Sequence, residues 1–190
     1  MSCGNMQRGS SPDCDNIPRG GTKPLIIGIN YDEIEVNGIA YDADGRVTGI
    51  TLVAGADAYR FVGFRNDVKK SDEVINPGVG INQFKHLAGF VIYERTQLDK
   101  NNIERLAKGR SVWITESKGR DADAVEVHGL DVGMEIVPGA IRNLHENGGF
   151  FILNFATPEG EYESKLPRSL GDDYADAQDI IDAIAPAVSS

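Results

Sequence analysis

Little in this chain points to covalent chemistry at one centre. Its two cysteines, Cys3 and Cys14, both fall within the first 23 positions. A zinc site takes about four ligands at short spacings, and the nearest histidine is His86, so no metal is expected. Two readings of the cysteines stay open: a disulfide closing a small loop outside a reducing compartment, or two free thiols. Histidine is equally sparse. His86, His128 and His145 lie far apart, in no H-x-x-x-H or H-E-x-x-H frame, and each reads as a half-exposed strand or loop residue. No G-x-S-x-G occurs, and neither cysteine has a fixed base or a helix N-terminus beside it. Asp121 and Asp123 form an acid pair, but on a charged turn that keeps them solvated. No catalytic residue and no cofactor is therefore assigned, and the chain is not read as an enzyme.

Long apolar runs are also missing. No stretch approaches the roughly 18 residues that a spanning helix needs, so no membrane partner is expected. The opening MSCGNMQRGSSPDCDNIPRGG lacks the apolar core of a secretory leader, so none is expected. Basic residues are outnumbered, 19 Lys and Arg against 29 Asp and Glu, for a net charge of −10. That excludes direct gripping of nucleic-acid phosphates, which takes clustered cations. A surface past which DNA slides is not excluded, because like charges repel. The acids crowd positions 159–182, where Glu159, Glu161, Glu163, Asp172, Asp173, Asp176, Asp179 and Asp182 face only Lys165 and Arg168. One reading is a solvated helix face with a polar loop, the other an acidic patch turned to a polyanion or a basic partner.

What is present is a succession of short alternating segments. The chain of 190 residues fits one domain with an arm. Residues 1–23, rich in Gly, Ser, Pro and Asn, form no packed element of their own. They read as a disordered tail or as an arm that orders only against a neighbouring subunit. Residues 24–190 form the body. Strands are expected at 23–30, 33–41, 46–54 and 58–64, with Asn37-Gly38 as a tight hairpin turn. Asp42, Asp44 and Gly45 resemble the start of a calcium loop, but its later ligands are absent, so calcium is not assigned. Residues 65–83, punctuated by Asn76-Pro77-Gly78 and Gly80, read as a long loop or projecting hairpin arm.

The best-determined unit is 84–116, read as strand, helix, strand. Residues 87–93 are apolar and aromatic-rich. Thr96 and Asp99 have capping-box spacing, Ile103, Leu106 and Ala107 give one narrow stripe, and Gly109 is placed at a left-handed helix end. Residues 111–116 then alternate, Val112 and Ile114 on one face, Trp113 and Thr115 on the other. The helix is a lid on a sheet rather than part of a helical core. Further strands are expected at 124–127, 130–137 and 150–155, and a turn of helix at 140–146. A last helix at 172–185 starts from Asp172 or Asp173 as N-cap and ends before Pro186. About eight or nine strands and two helices result, a mainly β chain folded as a sandwich or barrel with helices packed on it.

Certain blocks carry a resemblance: Cys3-Gly4, then Cys14 before Arg19-Gly20-Gly21, then NYDEI from Asn30. ITLVAGADAYRFVGF and the late TPEGEYESKLPRSLGDDYADAQDIIDAI complete the set. On these the chain resembles tail-tube and neck-ring virion proteins of tailed phages of Bacteroidetes hosts, crAss-like phages included. The resemblance implies a phage tail-tube-like sandwich made in the host cytoplasm and built into the virion. It implies a homo-oligomeric ring, six- or twelvefold, joined to other tail or neck proteins, with DNA passing through unbound. The expected inter-subunit contacts are then Cys3, Cys14, Lys69, Lys70, Val74, Ile75, Pro77, Val79 and Ile81. The candidate acidic channel surface is Glu159, Glu161, Glu163, Asp172 and Asp173. Two alternatives stand beside this: a capsid decoration or head-tail joining protein, and a monomeric ligand-binding β-domain with 65–83 as a lid.

Overall fold

The computed structural model describes residues 21–64, 67–76, 81–93, 96–139 and 150–186. Among them run β1 (Thr22–Asn30), β2 (Ile34–Tyr41), β3 (Val47–Leu52), β4 (Tyr59–Val62), β5 (Lys69–Ile75), β6 (Gln83–Ile92), α1 (Gln97–Leu106), β7 (Ser111–Ser117), β8 (Val125–His128), β9 (Glu135–Ile136), β10 (Phe151–Ala156), β11 (Arg168–Ser169) and α2 (Tyr174–Ile184). The chain is mainly β, in antiparallel sheets, none of which closes into a barrel. One sheet has the order β11-β8-β7-β1-β4, a second β5-β6-β10-β9, and β2 and β3 form a separate hairpin.

The five-stranded sheet is the middle layer, buried on both faces. This is why β1 reads as the near-continuous run PLIIGI and why β7 is buried from Ser111 to Glu116. On one face Ile27, Ile29, Val112, Ile114, Val125 and Val127 pack against Val47 and Ile50 of the hairpin and Ala177, Ile181 and Ile184 of α2. On the other, Ile26 and Trp113 meet Ala88, Phe90, Leu153 and Phe155 of the four-stranded sheet. Trp113 is the hub there, with ring centroids 4.5 Å from Phe155, 5.1 Å from Phe90 and 5.8 Å from Phe61. It has room because Gly28 faces it: a Cβ at Gly28 would stand 2.6 Å from the indole.

The strand-helix-strand unit crosses between layers, β6 lying in one sheet and β7 in the other. Thr96 and Asp99 make the full capping box, and only Ile103 of α1 is fully buried, as a lid requires. The helix ends earlier than the sequence implies, at Ala107 with φ −72°, and Gly109 is not left-handed. Asn37-Gly38 is not a hairpin turn either. It lies inside β2 as a bulge, Asn37 at φ +64°, and the turn to β3 falls at positions 42–45.

Of the two readings of 65–83, a long loop or a hairpin arm, the loop is corrected in its middle, which pairs antiparallel with the next strand as a hairpin arm does. Residues Lys69–Ile75 are β5, in unbroken register with β6 from Lys69 opposite Gly89 to Ile75 opposite Gln83. The segment is polar because it is an edge strand whose outer face meets solvent, not because it lacks structure. Pro77 and Val79, like Cys3, Cys14 and His145, lie outside the described residues, as does the helical turn expected at 140–146.

Candidate functional site

The two stacked sheets enclose a polar seam beside their aromatic core. Along β6, Phe84, His86, Ala88 and Phe90 share the inward face, and along β8 Glu126 and His128 share the face of Trp113. That alternation carries His86 (2 % exposed) and His128 (0 % exposed) into the interior, with ring centroids 5.8 Å apart, edge to face. The expectation of half-exposed histidines is thereby corrected. For His86 the strand alternation signals burial, since Ala88 two residues on is a core position, whereas His128 has half-buried Glu126 and Leu130 at that spacing and carries no such signal.

Each histidine is held by partners. His86 Nδ1 accepts from the backbone N–H of Gly129 at 3.1 Å, and its Nε2 is 2.9 Å from the Lys165 carbonyl. His86 Nδ1 thus carries no proton, and Nε2 donates. Thr115 Oγ1 is 2.9 Å from His128 Nε2, and Asp72 Oδ1 is 3.8 Å from His128 Nδ1. Burial holds both imidazoles below the ordinary value, His128 far below it with help from His86 and Lys70. Burial and the neighbouring Glu126 push Asp72 up to about 6, against the pull of Lys70. Lys70 is itself paired with Glu126 across the two sheets.

Next to the seam, Glu163 is buried (2 % exposed) and accepts from the N–H of Asp131 at 2.8 Å and of Val132 at 3.2 Å. Burial outweighs those bonds and raises its carboxyl to about 7. Glu163 is therefore no channel surface. Glu161 is tied to Arg110, which also holds Glu135, and Asp173 caps α2 by accepting from Ala175 and Asp176. Four of the set are exposed, and among the described residues only the carboxylates of Glu159 and Asp172 make no hydrogen bond or ion pair, Asp172 donating to Asp176 through its backbone N–H alone. Asp123 is engaged by Arg46 at 2.7 Å and by Ser169, so it braces a turn rather than doing acid–base work with Asp121.

A groove of about 1070 Å³ opens between β4, the end of β6 and α1. Tyr59, Phe61, Val62 and Phe64 line one side, Ile92, Tyr93 and Leu106 the other, with Arg60 and Arg105 at the rim. No nucleophile–base pair faces into it. The space beside His86 and Glu163 measures only about 10 Å³, too small for a substrate. Among the described residues no three His, Cys, Asp or Glu side chains converge to hold a metal, and no helix is long and apolar enough to cross a membrane.

Of the nine expected contact residues, the five among the described residues lie near one another. Lys69, Lys70, Val74 and Ile75 all lie on β5, the outer strand of the four-stranded sheet, and Ile81 (71 % exposed) precedes β6 beside it. β4 is the outer strand of the other sheet, with Val62 75 % and Phe64 67 % exposed at its end. In comparison with known proteins the chain matches no family model, no curated protein and no solved structure.

Proposed function

We propose that the chain is a structural subunit that assembles with copies of itself, most specifically a tail-tube or neck-ring protein of a phage virion through which DNA passes. One observation carries the assembly reading: among the described residues nothing pairs beyond β4 in the five-stranded sheet or beyond β5 in the four-stranded one, and large apolar side chains are exposed at each. Monomeric β proteins shield such edges, whereas assembling ones use them. The virion assignment rests on the sequence blocks that resemble tail-tube and neck-ring proteins. The net charge of −10 supports passage of DNA without adhesion. Within that reading Glu159 and Asp172 replace the larger acidic set as channel-facing candidates, because Glu161, Glu163 and Asp173 are engaged within the subunit.

The test is the mass and shape of the purified chain. Light scattering and negative-stain images showing closed rings or stacked tubes support the reading. A stable monomer of 20.6 kDa overturns it. The groove of about 1070 Å³ favours a second reading, a monomeric ligand-binding β-domain, which that same monomer would support.

A further inference from the structure

Among the described residues no strand lies beyond β5, and its outer edge carries a charge pattern that matches itself. Phe84 and Glu163 exchange backbone bonds at 2.9 Å in both directions, and the His86 carbonyl accepts from Thr157 at 3.1 Å. The even-numbered residues of β6 thus aim their backbone groups away from β5. Lys85, Leu87 and Gly89 aim theirs toward it. Their partners Glu73, Ser71 and Lys69 are accordingly the hydrogen-bonded positions of β5. Lys70, Asp72 and Val74 therefore turn their N–H and C=O groups off the open edge.

An antiparallel strand added to that edge must also offer outward-facing positions, so a second β5 can meet it only in alternate registers. Centring on Lys70 sets lysine against lysine, centring on Asp72 sets aspartate against aspartate, and centring on Glu73 sets glutamate against glutamate. Centring on Val74 or Ile75 avoids such clashes but sets no opposite charges together, whereas centring on Ser71 does. The sequence KKSDE then lies against its own reverse, Lys70 opposite Asp72 of the second copy and Lys69 opposite Glu73 of the second copy. Lysines guard an isolated edge by repulsion, but here each one meets an acid. Lys70 and Asp72 lie on the face turned to the other sheet, where Lys70 already bonds Glu126. Lys69 and Glu73 lie on the outer face and are exposed.

We propose that β5 is a two-fold self-pairing edge, through which two copies of this chain join antiparallel about Ser71 and merge their four-stranded sheets into one. The inference rests on the assembly reading and names one of its contacts. A ring closes through two different patches, so this contact joins copies in pairs, or one ring to another.

The experiment uses the full chain with Lys69→Glu, Glu73→Lys and the double swap K69E/E73K, all outside the seam. Association is followed by light scattering across protein concentration at low salt. Each single variant is expected to weaken pairing about tenfold, since it turns two symmetric attractions into repulsions. Mixing the two single variants, or combining both changes in one chain, is expected to restore it. Self-association that ignores these changes overturns the β5 contact and leaves the assembly reading standing. A wild-type chain that stays monomeric at all concentrations overturns both.

Discussion

Asp72 stands 3.8 Å from the Nδ1 of His128, close enough for an ion pair, yet the imidazole is wholly buried and burial holds it neutral. Its surroundings explain why. His128 faces His86, Lys70, Asp72 and Glu126, and the first two disfavour a further positive charge. In the unfolded chain both histidines return toward their ordinary value of 6.5. Below that pH the unfolded state takes up protons that the folded state refuses. The histidine contribution is therefore complete above about pH 6.5 and lost as pH falls below it. Urea midpoints of the natural chain and of His128→Gln at about pH 7.5 and about pH 5.5 check this, the difference between the two chains removing the opposite contributions of Glu163 and Asp72. His128→Gln should cost about 1–3 kcal/mol at the higher pH, by disturbing a buried hydrogen-bonded group, and distinctly less at the lower one.

Glu163 contributes with the opposite sign. Its folded value of about 7 lies above the ordinary 4.5, so the folded state holds a proton longer than the unfolded one. Stability from this group is full at acid pH and declines as pH rises through about 7. Glu163→Gln is neutral at every pH. Its cost relative to the natural residue should shrink from about pH 5.5 to about pH 8, and thermal melts at those two values measure the difference. A cost that grows toward alkaline pH would show the carboxylate form to be the stabilising one.

Gly28 and Trp113 should be energetically coupled. A methyl group at position 28 collides with an indole packed by three other rings, so Gly28→Ala should destabilise by about 1–3 kcal/mol. Trp113→Phe vacates that space, and in its background Gly28→Ala should cost far less. A double-mutant cycle in urea measures the coupling, expected at about 0.5–3 kcal/mol. Additive costs would show that the close approach is relieved by strand movement instead.

Where an element's pattern is set by what it packs against locally, the sequence revealed it. Thr96 and Asp99 announced the start of α1, the pair Asp172 and Asp173 that of α2, whose cap is Asp173, and the alternation of Val112 with Trp113 assigned two faces that the structure fills with two separate cores. Edge and bulge positions were opaque. β5 is polar on its solvent face and shows its strand character only in pairing with β6. Asn37-Gly38 has the chemistry of a hairpin turn, but the later Asp42 and Gly45 took that role and left Asn37 as a bulge. The seam was hidden because His86, His128 and Asp72 are remote in sequence. It is created by one sheet stacking on another, which no local pattern encodes.

Asp173 has a structural duty that its exposed neighbour Asp172 lacks. Its Oδ1 accepts from the N–H groups of Ala175 and Asp176, at 2.8 and 2.9 Å, and so closes the open first turn of α2. α2 brings Ala177, Ile181 and Ile184 onto the core of the middle sheet, so loosening its first turn loosens that layer. Asp173→Ala should lower stability by about 0.5–2 kcal/mol, whereas Asp173→Asn, an equally good cap without the charge, should be nearly neutral. Asp172, exposed and adjacent, has no such duty for its side chain, so Asp172→Asn should leave the unfolding midpoint unchanged. Chemical denaturation of the three variants decides the matter. Equal losses for Asp173→Ala and Asp173→Asn would mean that the charge, through the helix dipole, rather than the cap geometry, holds the helix start.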